Sequence, residues 1–223
     1  MNSFDTSADI AFLHIGKNAG TQIAYICKQL EILNYKIVQC SHDTKLKHLN
    51  KGVRYFFSIR NPIDRFRSGF YSRKRKGLPR IYVEWTECEA IAFQKFSHAN
   101  DLAESLFRTD YIGTDARAAI KSIRHTGMQQ VDWFEGFAFL NQRPPIHIIR
   151  QEHLAQDMNL FLELLGCKID VTELISPDIK VSHKNEYKDT PNLSNTAINN
   201  LKKWYVQDDF FYEACCDWIK GKF

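Results

Sequence analysis

The chain has 223 residues, 44% of them hydrophobic and 25% charged, with a formal net charge of +4. That length can bury a large core without disulfide staples, and the composition is that of a soluble globular protein, with no long stretch polar or repetitive enough to read as disordered. The small positive balance favours anionic ligands without choosing among them, and a single domain spanning 1–223 is expected.

The opening residues, MNSFDTSADIAFLHI, have no cationic stretch ahead of their apolar run. They read as a tail entering a strand, not as a signal peptide. No run approaches membrane-spanning length, so a cytoplasmic protein without a membrane anchor is expected. The six cysteines, at 27, 40, 88, 167, 215 and 216, then fit reduced thiols. They include no C-x-x-C pair, and neighbours Cys215 and Cys216 would face different sides of a helix, so no metal site is expected.

Ile10 to Ile15 is a short apolar run closed by Gly16, the pattern of a strand buried on both faces. A helix is predicted from Gly20, with Ile23, Ile26, Cys27 and Leu30 on one face. Tyr35 to Cys40 and Val53 to Ile59 read as the second and third strands. Pro62 suits the first turn of a second helix whose stripe is Ile63, Phe66, Phe70 and Tyr71, ending at Gly77-Leu78-Pro79. Thr86 to Phe107 reads as helical with a break near Asn100-Asp101, and 108–143 is ambiguous in period, a region carrying loops that would shape a substrate cleft. Ile146 to Ile149 is a further strand, followed by a helix from Glu152 to Leu165 closed by Gly166. After a polar loop over 180–192, Ser194 caps a last helix with Ile198, Leu201, Trp204 and Tyr205 inward.

Strands alternating with helices predict an α/β chain: a P-loop-like three-layer fold, its central parallel sheet flanked by helices. Ligands of such folds sit beyond the carboxyl ends of the strands, where Lys17, His42 and Arg60 fall. These three loops are expected to share one crevice.

The first loop, His14-Ile-Gly-Lys-Asn-Ala-Gly-Thr21, puts a lysine ahead of a glycine turn that opens a helix. The backbone N–H groups of Asn18, Ala19, Gly20, Thr21 and Gln22 would form a concave donor site for a phosphate-type anion, with Gly20 letting it approach. Lys17 could reach over that site to a departing bridging oxygen. The third strand leads into Ser58-Ile-Arg60-Asn-Pro-Ile-Asp-Arg-Phe-Arg-Ser68-Gly-Phe-Tyr71. There Arg60 offers a planar fork of donors and Ser68 a hydroxyl, together suited to a second phosphate. Two anion sites at neighbouring strand ends point to a nucleotide phosphorylated at both ends.

These stretches resemble the 5′-phosphosulfate loop and the 3′-phosphate segment of sulfotransferases that use 3′-phosphoadenosine 5′-phosphosulfate (PAPS). The likeness is greatest to the Golgi-type carbohydrate enzymes of the heparan sulfate 6-O and 2-O branches, whose loop reads H-I-x-K-[TS]-G-[GS]-T. This chain departs from that pattern at Gly16 and at Asn18-Ala19, and keeps Lys17, Gly20 and Thr21. Cys40-Ser-His42-Asp-Thr-Lys-Leu46 is similar to the segment carrying the base in the 6-O branch. Arg150, Glu152, Leu154 and Asp157 match a structural strand-to-helix step, and Leu193-Ser194 through Asp209-Phe210 the terminal helix. Ser182-His-Lys-Asn185 lies where relatives close a loop over the cofactor.

The resemblance implies sulfuryl transfer from PAPS to an acceptor hydroxyl, on a glycan or glycan precursor, without a metal. His42 would be the general base, a role suited to an imidazole at neutral pH. Lys17 would stabilise the leaving oxygen, and Asn18 to Gln22, Arg60 and Ser68 would hold the donor. His14, inside the first strand, reads as a packing residue. Two other readings compete. A P-loop kinase is opposed by the reversed order of lysine and glycines and by the missing Lys-Ser/Thr pair for magnesium. A nucleic-acid-binding module would use the basic run Arg73 to Lys76, with Phe70 and Tyr71 stacking on bases; no nucleic-acid partner is expected, since that run could equally recruit an anionic glycan.

Overall fold

Four strands, β1 (Ile10–Leu13), β2 (Ile37–Gln39), β3 (Arg54–Ile59) and β4 (His147–Arg150), form an all-parallel sheet in the order β2-β1-β3-β4. The computed structural model describes residues 10–175, 187 and 190–222. The N-terminal tail, Ser182 to Asn185 and most of the expected 180–192 loop lie outside these residues. The helices, in chain order, are α1 (Gly20–Ile32), α2 (Pro62–Lys74), α3 (Glu87–Lys95), α4 (Ala99–Ser105), α5 (Tyr111–Ser122), α6 (Phe139–Gln142), α7 (Leu154–Leu164), α8 (Val171–Leu174), α9 (Asn195–Trp204) and α10 (Val206–Ile219).

The described chain divides into two compact units. One contains residues 10–60, 130–175 and 211–222, the other 61–129, 187 and 190–210. In the first unit both faces of the sheet are buried, which explains why its strands read as apolar runs without polar alternation. Ile10, Phe12, Phe56 and Ile149 join Ile23, Ile26 and Leu30 of α1 and Met158, Phe161 and Leu162 of α7 in one core. Ala11, Leu13, Tyr55, Phe57, Ile59 and Ile148 join Trp133, Phe134, Phe139 and Phe211 in another. Adjacent strand residues thus fall on opposite faces, the period-2 alternation of a pleated chain. The register sets Phe12 beside Phe56 and Phe56 beside His147.

The second unit is helical. Its core is built from Phe66, Phe70, Phe93, Leu102, Leu106, Ile120, Leu201 and Tyr205, all nearly or fully buried. Asn61 caps α2, accepting from the N–H of Ile63 at 3.0 Å, and Pro62 occupies the first turn as expected. Arg73 of α2 and Glu89 of α3 form a buried ion pair at 2.7 Å. Ser194 caps α9, accepting from Ala197 N–H at 3.1 Å.

Two local readings are corrected and one ambiguous stretch gains an assignment. The break in the 86–107 stretch falls at Phe96–His98, not at Asn100-Asp101. Asp101 sits in the first turn of α4, where its carboxylate accepts from the His98 N–H at 3.1 Å, so this polar residue starts a helix. In the 108–143 stretch, left ambiguous by its sequence, α5 is capped by Asp110, which accepts from Gly113 N–H. The inner face of α9 is Ala197, Asn200 and Leu201 followed by Tyr205; half-buried Trp204 packs against the same core as expected, whereas Ile198 is only half-buried.

Candidate functional site

β1 is flanked by β2 and β3, so the connection leaving β1 and the connection into β3 run to opposite sides of it. Such a reversal opens a crevice between the loops that follow the two central strands, the usual ligand position in open α/β sheets. The loop after β1 carries Lys17, and the residue that ends β3 is followed directly by Arg60.

Lys17 and Ala19 both adopt the left-handed backbone conformation, with φ of 72° and 59°. Two such residues in a row of three cost about 1–3 kcal/mol each and persist only where the surroundings enforce them. Asn18, fully buried between them, supplies that enforcement. Its Nδ2 donates to the Ser58 carbonyl and to Gln130 Oε1, both at 2.8 Å, while Ser58 Oγ donates back to the Asn18 carbonyl at 2.7 Å. Asn18 Oδ1 is buried and accepts no hydrogen bond among the described residues.

Gln130 completes the clamp. Its Oε1 accepts from the Arg60 N–H at 3.0 Å and its Nε2 donates to the Arg60 carbonyl at 2.9 Å, so one side chain reads that backbone as a neighbouring strand would. Arg60 is half-buried, and its Nη1 lies 3.4 Å from the Lys17 carbonyl. The two candidate anion-binding residues are therefore brought together by a buried amide network.

The first turn of α1 has no side-chain cap and no acidic residue. The helix dipole leaves a positive end facing the loop. Gln22 differs from the expected donor run, since its N–H already donates to the Ala19 carbonyl at 2.9 Å. Gly20 has a different reason to be glycine than anion approach alone. A Cβ there would fall 1.7 Å from His14 Nε2, in space the imidazole occupies.

His14 is buried as expected, stacked on Phe12 with centroids 5.3 Å apart, but it does more than pack. Its Nδ1 lies 2.9 Å from Gln39 Nε2; with the amide donating, the ring hydrogen belongs on Nε2. The His42 ring is 4.0 Å away, tilted by 42°. His42 is half-buried, and the Trp133 indole donates to its carbonyl at 3.1 Å. Burial raises the neighbouring Cys40 thiol above its ordinary value, so it stays protonated at neutral pH and is a poor nucleophile.

Ser68 belongs to the second unit, on α2, where it is half-buried. The basic run is largely absorbed into structure. Arg73 is paired with Glu89, Lys74 donates to the Ser97 carbonyl, and Lys76 is paired with Glu84. Phe70 and Tyr71 are core side chains. Arg150 meets the buried Asp157 through three hydrogen bonds of 2.7–2.9 Å, tying the end of β4 to α7.

Sequence reasoning did not single out Gln130 or the linking roles of Ser58 and His14. A serine inside Phe56-Phe57-Ser58-Ile59 was the available signal, because a hydroxyl buried in a strand needs a partner. Neither a protein-family model nor a curated protein sequence matches the chain. Among the described residues no helix is long and apolar enough to cross a membrane.

Proposed function

We propose that the crevice between the β1 and β3 loops binds PAPS and that the protein transfers its sulfuryl group to an acceptor hydroxyl, by resemblance one on a saccharide. The observation that carries this reading is the network of Asn18, Ser58 and Gln130, which brings the Arg60 guanidinium to the Lys17 backbone at a helix start that has no side-chain cap. An anion of two separated phosphate-type groups is the ligand such a pair suits.

In the proposed reaction the acceptor oxygen attacks sulfur in line as the bond from sulfur to the bridging oxygen breaks. Electrons of that bond leave on the bridging oxygen, and adenosine 3′,5′-bisphosphate departs. Lys17 and the N–H groups at the start of α1 stabilise this oxygen, while His42 takes the hydroxyl proton. The His14 ring beside half-buried His42, and the Trp133 indole donating to the His42 backbone carbonyl, support this role. Ser68 enters through the resemblance as a 3′-phosphate donor.

Calorimetry with adenosine 3′,5′-bisphosphate tests the binding step. The native protein should take it up, and Arg60→Ala should weaken uptake by about ten- to a hundredfold, the scale of a lost charge-assisted hydrogen bond. No uptake by the folded native protein would sink the reading. With PAPS and a saccharide panel read by mass spectrometry, Lys17→Ala and His42→Ala should each lower turnover by about two to four decades. Turnover with ATP and magnesium in place of PAPS would favour the kinase.

A further inference from the structure

The end of α2 runs into a closed loop whose tip, Leu78–Val83, turns its apolar side chains outward. Leu78, Ile81, Tyr82 and Val83 are 47%, 61%, 54% and 42% exposed. Single exposed apolar residues are ordinary on a protein surface, but four on one six-residue tip are not.

The tip is built and held. Gly77 has φ of 84°, and a Cβ there would fall 2.3 Å from the Ile81 carbonyl, so only glycine lets the loop close. Val83 N–H donates to the Lys76 carbonyl at 2.7 Å, sealing the base. Beneath it the buried Arg73 donates to the carbonyls of Val83 and Glu84 and is itself fixed by Glu89. The Trp85 indole donates to the Arg73 carbonyl at 2.7 Å. This frame holds the apolar side chains out in water at a hydrophobic cost that an apolar partner would relieve.

Cations flank the tip. Arg80 is exposed within it, and Arg75 lies at its base, its Nε 3.4 Å from the Leu78 carbonyl. Lys76 is offset by Glu84, and Glu87 follows at the start of α3. We propose that the Leu78–Val83 tip docks on an anionic lipid bilayer, its aliphatic side chains and Tyr82 entering the headgroup boundary while Arg75 and Arg80 meet lipid phosphates. Neither a nucleic acid nor a sulfated glycan offers an apolar phase for Leu78, Ile81 and Val83. An interfacial tyrosine beside aliphatic and cationic side chains is the composition of a peripheral membrane contact. The inference is independent of the sulfuryl-transfer reading.

Sedimentation with vesicles tests it, using phosphatidylcholine alone and phosphatidylcholine containing phosphatidylglycerol. The native chain should pellet with the anionic vesicles and stay largely in solution with the neutral ones. Ile81→Asp should lower partitioning by about tenfold or more, and Arg80→Gln by about fivefold. Both sites are exposed, so circular dichroism should be unchanged; Leu78→Asp serves if Ile81→Asp fails to fold. A native chain that ignores phosphatidylglycerol vesicles, or an Ile81→Asp chain that binds them undiminished, overturns the proposal. So does retention of the native chain by an oligonucleotide with none by vesicles.

Discussion

At position 20 there is no room for even a methyl group, because His14 Nε2 would stand 1.7 Å from the new carbon. Gly20→Ala must displace the imidazole from its present place beside Gln39 and the His42 ring. The expected result is a loss of about 1–3 kcal/mol of stability by urea unfolding, with weaker bisphosphate uptake. Gln130→Ala removes the acceptor shared by Asn18 and Arg60, leaving buried donors unmet. It should destabilise by about 1–3 kcal/mol and reduce affinity, whereas Ser72→Ala, on a half-buried serine far along α2 in sequence, should leave affinity unchanged. Equal calorimetric affinity in native and Gln130→Ala proteins would show that the network does not position Arg60. Lys17, His42 and Arg60 were legible because each follows an apolar run that reads as a strand. Gln130 was not, since nothing in Met128-Gln129-Gln130-Val131 shows that one amide reaches back to another strand's end.

Among the elements, α2 and α3 are linked by the buried Arg73–Glu89 ion pair. Burial alone would raise the Glu89 carboxyl, yet hydrogen bonds from Arg73 and from the N–H groups of Thr86 and Arg124 more than offset it and hold the group at about 2. A carboxyl depressed below its unfolded value of 4.5 stabilises the fold fully above that pH, and the contribution is lost as pH falls from 4.5 toward 2. Glu89→Gln should therefore be less stable by about 3–5 kcal/mol at neutral pH, because Arg73 is left buried without its counter-charge. Its stability should also change less than the native protein's between those two pH values, as acid titration followed by circular dichroism would read. The elements that could be read beforehand were those with strong periodicity or a sharp stop: α1, β3, α2 with Pro62, and α7 with Gly166. α5 was hidden because three of the four residues on its buried face, Gly113, Ala116 and Ala119, are small and contribute little apolar contrast, with Ile120 the one large apolar side chain. The sequence reading ran one terminal helix through Asp209-Phe210, where the structure has two, α9 and α10.

For the chain as a whole, the alternation of strands and helices made the parallel α/β architecture legible, while the division into two compact units was not. No linker-like stretch marks it: the first unit passes to the second at Arg60, directly after β3, and returns at Gln130. The modest net charge of +4 predicts that bisphosphate affinity falls with added salt, but gently, as expected for a few local cations rather than a broad positive field. A salt titration by calorimetry measures that slope. The interleaved order has a consequence during synthesis. Phe56 of β3 must wait for His147 of β4, about ninety residues later, and at ribosomal speeds this is a delay of roughly five to twenty seconds. Throughout that interval the nascent sheet has one unzipped border, so a chaperone that shields unpaired strands should raise the yield of the intact chain more than that of a fragment covering 61–129.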